Sequence, residues 1–295
     1  MVERDCAILE DRGVLEVTGA DRSPFLQGLV SNDVVKVTPG RALYAALLSA
    51  QGKYLHDFFI VAMGESIFLD GEAARLADLK RRLGLYKLRT KVSLAEASER
   101  YVVAAAFGTG AARALGLPAE HGAASAFAGG VAYVDPRLVE LGARLLLPRA
   151  EGAAPLIERG FRAGDIAAYD RLRLSLGVPD GSRDLVLDKS ILLESGFDEL
   201  NGVDWQKGCY VGQELTARTK YRGLIKKRLM PVAVDGPLPP PGTPIMAGDQ
   251  EAGEMRSGRD GIGLALLRLE AVAESKPLTA AGAKLTPQKP GWAKF

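Results

Sequence analysis

Residues 207–223 read KGCYVGQELTARTKYRG, from Lys207 to Gly223. The run sets one of the chain's two cysteines, Cys209, just ahead of a helix expected to start at Gly212, among Lys207, Arg218, Lys220 and Arg222. A helix N-terminus carries partial positive charge and neighbouring cations favour thiolate over thiol, so Cys209 reads as a reactive thiol. A thiolate attacks electrophiles or binds a soft metal, which makes Cys209 both a catalytic and a metal-ligating candidate, with Lys207 beside it as a second catalytic candidate. By residue type alone a single cysteine is more often a small buried hydrophobe. The flanking glycines and cations shift that balance, because Gly208 and Gly212 suit a tight, exposed turn.

The same run resembles the KGCYxGQE signature of the YgfZ family, folate-binding proteins that assist iron–sulfur cluster assembly and include mitochondrial relatives. The likeness continues through Arg218 and Tyr221-Arg222-Gly223. Three further blocks are similar: Phe25-Leu26-Gln27-Gly28 through Asp33-Val34 to FLQGxxxxDV, then Gly52-Lys53 with Asp57-Phe58, then Arg173 to Pro179. Residues 105–150 add little. The element order resembles the architecture that YgfZ proteins share with the aminomethyltransferase of the glycine cleavage system. That likeness implies an α+β fold: a three-lobed ring of two interleaved α+β domains (1–228) plus a C-terminal β-barrel domain (229–295).

At 295 residues, 47% of them apolar, the chain can bury a proper core over two or three domains or one large one. Its 38 basic and 36 acidic residues leave a formal charge of only +2, so bulk electrostatics make no case for nucleic acid or membrane, and any anion site must be local. Cys6 and Cys209 form no disulfide framework and fit a reducing compartment. With His56 and His121 they show no paired spacing of a self-contained zinc or iron–sulfur site, so a bound metal would need ligands from elsewhere. The N-terminal residues have the character of neither a signal nor a transit peptide, and no apolar run approaches the roughly 20 residues that span a bilayer. A soluble, cytoplasmic protein is expected.

Alternation around Gly13 over residues 6–18 reads as a short hairpin, and Asp21 or Ser23 caps a helix with Pro24 in its first turn. Residues 41–49, 54–62 and 66–70 form an antiparallel meander. Glu72 to Leu83 is helical, with Lys80, Arg81 and Arg82 near its end as a solvated cap. Strands are expected at 91–95, 100–107, 131–134 and 142–147, a short helix near 110–116, and a helix from Asp165 to Leu176, stopped by Gly177 and Pro179. Residues 177–203 lack periodicity, as a functional loop does. Past Leu229, short strands at 243–247, 251–256, 261–269 and 283–287 with Gly/Pro turns indicate a small barrel or sandwich.

A folate presents a pterin edge with paired N–H donors and a tail carrying carboxylates, which suits a buried acid and a few cations. Glu194, beside Ile191-Leu192-Leu193, is the pterin candidate. A solvent-facing glutamate after a turn is the commoner local reading, but the related folate enzymes have a pterin-binding glutamate at the corresponding place. Asp57 shares its strand face with Leu55 and Phe59, which carries a carboxylate into an apolar interior where it needs a partner. Gln27, Asn32 and Asp33, at the helix's end, are second-rank candidates, since Asn32-Asp33 is equally good turn chemistry. The resemblance adds Tyr210, Gln213, Glu214, Arg218 and Arg222 of the signature as cofactor-binding residues.

The resemblance therefore implies a tetrahydrofolate-binding accessory factor for assembly or repair of iron–sulfur proteins. Its cofactor is tetrahydrofolate, with a transient iron–sulfur cluster shared with a partner, and its partners are iron–sulfur assembly proteins or client enzymes. The rival is a folate-dependent one-carbon transferase, whose GGxxDD block departs here to Lys53 and His56-Asp57 and which gives Cys209 no task. A third reading is a tRNA- or protein-binding module using the six cations between Arg218 and Arg228. With only Tyr210 and Tyr221 as aromatics there, the RNA form is the weakest.

Overall fold

The computed structural model describes residues 3–223 and 225–295. In chain order the first elements are β1 (Arg4–Ile8), β2 (Arg12–Thr18), α1 (Arg22–Gln27), β3 (Leu43–Leu48), β4 (Tyr54–Met63), β5 (Ser66–Glu72), α2 (Leu76–Gly84), β6 (Ser93–Glu96) and β7 (Tyr101–Gly108). There follow α3 (Ala111–Ala114), β8 (Ala124–Phe127), β9 (Gly130–Val134), β10 (Ala143–Pro148), α4 (Ala154–Glu158), β11 (Arg162–Ala163) and α5 (Ile166–Ser175). The last are α6 (Gln213–Tyr221), β12 (Lys227–Asp235), β13 (Pro244–Ala247), β14 (Gln250–Arg259), β15 (Ile262–Arg268), α7 (Leu269–Ala273), β16 (Leu278–Ala280) and β17 (Ala283–Pro287). The α+β class and the C-terminal barrel are as expected.

Two compact units divide the chain. One takes in residues up to Leu47, His56–Tyr169 and Leu200–Val211; the other takes in Leu48–Leu55, Asp170–Glu199 and Gly212–Phe295. The first holds a sheet ordered β11-β1-β7-β10-β9-β8 and a sheet ordered β3-β4-β5-β2-β6, the latter containing the expected meander. The hairpin expected around Gly13 does not form. β1 pairs with β7 and β11, whereas β2 pairs with β5 and β6, so the reversal at Leu9–Arg12 passes the chain from one sheet to the other. Local alternation cannot distinguish these cases, because each strand finds its partners far along the chain. Asp21 does not cap α1 through its side chain either; its carboxylate accepts the Lys91 N–H at 2.7 Å.

Each sheet presents alternate residues to two interiors. Phe58 and Ile60 of β4, with Leu15, Leu69, Leu26 and Leu79, fill one apolar core; Leu145 and Leu147 of β10, with Ala104, Ala132 and Leu156, fill another. The opposite strand faces meet in a charged and aromatic seam. Buried Asp70 accepts from Arg12 Nε at 2.7 Å and from Arg144 Nη2 at 2.6 Å, with Tyr133 Oη at 3.4 Å. Burial would raise the Asp70 carboxyl, but the two guanidinium groups outweigh it and hold the carboxyl below the usual range. Arg144 and Arg137 also stack on the Phe59 ring, at 4.0 and 4.7 Å from its centroid. Asp135 neutralises Arg137 at 2.8 Å, so the buried cations are paired with buried anions.

In the second unit, β12-β15-β14-β13-β16-β17 close into a barrel around Met230, Val232, Ile245, Met255 and Leu267, which leaves no open sheet edge. A bulge between Met255 and Gly258 frees the Ser257 N–H from the ladder, and it donates to Asp184 at 3.0 Å. Arg173 ties the same point together, donating to Asp184 at 2.7 Å, to Ser257 Oγ at 2.8 Å and to Asp170 at 2.7 Å. Residues 177–203, read as a loop, contain short 3-10 turns at Gly181–Arg183 and Leu192–Ser195.

Candidate functional site

Cys209 is exposed, while Cys6 is buried in β1. The segment carrying Cys209 is tied down on both sides. Before it, Asp204 accepts the N–H groups of Gln206 at 2.7 Å and Lys207 at 3.0 Å, donates its own N–H to Ser31 O at 3.0 Å, and pairs with Lys36. Lys207 turns inward, and its ammonium donates to the carbonyls of Gln27, Val30 and Asn32 at 2.8, 2.5 and 2.7 Å. These are the loose carbonyls that follow a helix end, so the lysine satisfies groups α1 cannot. Burial lowers the Lys207 amine to about 8 against the opposing pull of Asp33 and Asp204. After the cysteine, the Val211 N–H donates to Gly28 O at 3.1 Å. A fixed backbone thus carries a free thiol.

The two signature glycines differ in what they do. Gly212, at φ +81, is the left-handed N-cap of α6, whereas Gly208 has open space where a side chain would be and no positive φ. Gln27 and Asn32 lie against the same segment, and their side chains are engaged in hydrogen bonds within the fold. The Gln27 amide bridges Asp33 Oδ1 at 2.9 Å and the Val34 N–H at 2.8 Å; the Asn32 amide donates to Tyr44 O and Asn201 O at 2.7 and 2.8 Å. Tyr210 is buried, with its ring centroid 5.0 Å from Lys207 Nζ. Asp57 enters the seam as its strand period requires, and Tyr44 Oη donates to it at 2.8 Å.

In the second unit, Glu194 sits in the 3-10 turn Leu192–Ser195, half-buried. Its carboxylate makes no hydrogen bond or ion pair among the described residues. Burial raises its carboxyl, and Lys227, Lys53 and Arg228 pull the other way. Arg228 is itself buried, donating to Leu193 O at 2.8 Å and pairing with Glu199 at 2.9 Å. Gln213 opens α6; Glu214 and Arg218 pair with each other one turn apart on its exposed face, and Arg222 caps its C-terminus, exposed. Among the described residues no three His, Cys, Asp or Glu side chains come together to hold a metal. Cys209 can supply one soft ligand and no more.

Sequence reading missed Asp204 and the seam of Arg12, Asp70, Arg137 and Arg144. The strand period carried a signal for Arg144, which alternates with Leu145 and Leu147 in β10, and for Asp70 beside buried Leu69 in β5. The only local signal at Asp204 is turn chemistry, its carboxylate accepting the N–H groups two and three residues on; its partners at Ser31 and Lys36 lie far back in the chain.

Two β-sheets with their helices and a closed C-terminal barrel make up an aminomethyltransferase-like fold. The fold matches that of the glycine cleavage system aminomethyltransferase T from Bartonella henselae, with a TM-score of 0.79 over 99% of this chain and 87% of that one, at 16% identity. Residues 9–127 match the family described as GCVT N-terminal domain, and residues 226–295 match the CAF17 C-terminal beta-barrel domain. The chain is 35% identical over 289 residues to the mitochondrial iron–sulfur cluster assembly factor IBA57 of Mus musculus, and 36% identical over 286 residues to that of Homo sapiens. Each alignment covers 90% of this chain and 78% of the relative. The chain belongs to the family of the iron–sulfur cluster assembly factor IBA57.

Proposed function

We propose that this protein is a tetrahydrofolate-binding accessory factor of the YgfZ kind, which assists assembly or repair of iron–sulfur proteins through the thiol of Cys209. The observation that carries the reading is the exposed cysteine on a segment fixed by Lys207, Asp204 and Val211. Relatives named as iron–sulfur cluster assembly factors support the cluster role. The cluster is cargo: Cys209 offers one thiolate to it, and an assembly protein or client enzyme offers the remaining ligands.

Folate binding draws support from the aminomethyltransferase fold and from Glu194. An unpartnered, half-buried carboxylate suits the N–H groups of a pterin edge, and Lys53, Lys227 and Arg228 around it favour its charged, accepting form. Tetrahydrofolate supplies a carrier for a one-carbon unit. One-carbon transfer is the weaker reading, because Lys53 and His56 stand where the aminomethyltransferase pattern has a glycine and an acid.

Calorimetry with tetrahydrofolate tests the pocket. Replacing Glu194 by alanine leaves pterin donors unpaired at a cost of roughly 1–3 kcal/mol, about a 5- to 150-fold loss of affinity. Unchanged affinity in a folded Glu194→Ala protein removes Glu194 from the site.

A further inference from the structure

We propose that the turn from Leu85 to Lys91 is a docking knob for an acidic protein partner, an inference that rests on the reading of this chain as a factor working on other proteins. Leu85 is 64% exposed, Tyr86 42% and Leu88 89%, three large apolar side chains within four residues. Scattered exposed leucines need no explanation, but a cluster at one tip does. Leu88 also has φ 38, a left-handed conformation that glycine or asparagine adopts far more readily.

The tip is held in shape. The N–H groups of Tyr86 and Lys87 continue the turn of α2 onto Leu83 O and Gly84 O at 3.1 and 3.2 Å, and the Thr90 N–H closes on Lys87 O at 2.8 Å. The Lys91 N–H is bound to Asp21 at 2.7 Å, where Gly19 lets the two segments approach. A pinned turn that displays a leucine in a strained conformation is a built feature of the surface.

Charge selects the occupant. No acidic residue occurs between Asp78 and Glu96. Arg81 and Arg82 are held by Asp78 at 2.6 Å each, but the side chains of Lys87, Arg89 and Lys91 make no hydrogen bond or ion pair among the described residues. Three free cations around an apolar centre match an acidic surface with an apolar pocket, the arrangement in which a few anchors carry the affinity and a charged rim guides encounter. A lipid surface fits less well. The exposed parts of two leucines and one tyrosine hold less apolar carbon than a single myristoyl chain, which alone gives only marginal membrane binding.

The test uses the full chain and a fluorescein-labelled amphipathic peptide with leucines on one face and glutamates flanking them. Fluorescence anisotropy should show binding to the wild type. Leu88→Asn, which keeps the left-handed backbone, and the double change Lys87→Glu/Arg89→Glu should each weaken it by about tenfold or more. Tetrahydrofolate affinity and Cys209 alkylation should stay unchanged in both variants, which separates this surface from the proposed site. If the wild type fails to bind folate, the folate part of the proposed function fails while the peptide result stands. Equal peptide binding by wild type and variants overturns the knob. So does a turn that binds only phosphatidylserine vesicles and not the peptide.

Discussion

Gly52 and Gly212 meet backbone to backbone. A Cβ on Gly52 would lie 2.6 Å from the Gly212 carbonyl oxygen and equally close to Leu215 Cβ, and one on Gly212 would collide with Ser49 O and lie 2.8 Å from Leu48 Cβ. Both glycines are left-handed, at φ +77 and +81. The Gln51-Gly52-Lys53 turn is therefore seated on the start of α6, and two separate motif blocks depend on one contact.

Alanine at either glycine should cost about 2 kcal/mol or more, from the left-handed backbone and the overlap together. Because the two sites share one contact, the double variant should lose less than the sum of the singles. Urea denaturation of the three variants measures this. Strictly additive losses would mean that the turns do not depend on each other.

His56 gives a pH signature. It faces the α2 side of its sheet, with Nε2 3.0 Å from Asp78 Oδ2. Burial and then Arg75 lower its ring to about 4 from the ordinary 6.5, although Asp78 pulls it up. The folded protein thus keeps His56 neutral where the unfolded chain takes a proton. Its contribution is fully present above pH 6.5 and is lost as pH falls from 6.5 towards 4, up to about 3 kcal/mol. His56→Gln should remove that slope. Parallel stability–pH curves for the two proteins would show that the ring takes its proton as readily in the fold as in the unfolded chain.

The two thiols should separate by reactivity. Cys6 is 2% exposed, and burial, then Asp5, raises its thiol, whereas Cys209 is open to solvent. At neutral pH iodoacetamide should modify Cys209 well before Cys6, read by mass spectrometry of the intact chain and its peptides. Equal rates would place Cys209 in a protected environment.

Much of this architecture is legible in the chain. Period-2 runs marked β3, β4, β5 and β10, and Gly/Pro punctuation marked the barrel. The exposed cysteine was legible from its glycines and cations. Two kinds of information were not. Pairing partners are non-local, so β1 and β2 read as one hairpin although they belong to two sheets. Side-chain anchoring is non-local too: Lys207 looked like a cation for the thiol, yet its acceptors lie some 175 residues earlier in the chain, where the end of α1 leaves carbonyls without partners. Asp70 is a single acid in Phe68-Leu69-Asp70-Gly71, and only the fold brings Arg12 and Arg144 to it.

In the proposed function the Cys209 thiol does the work on iron–sulfur proteins. Its most direct measurement is the activity of iron–sulfur enzymes in cells that lack the native protein and express Cys209→Ser. The serine protein should match the wild type in melting temperature and tetrahydrofolate affinity, because the thiol is exposed and the proposed folate contacts are carboxylates and cations. It should nevertheless leave those enzymes inactive. Full restoration of their activity by Cys209→Ser would contradict a thiol-dependent role.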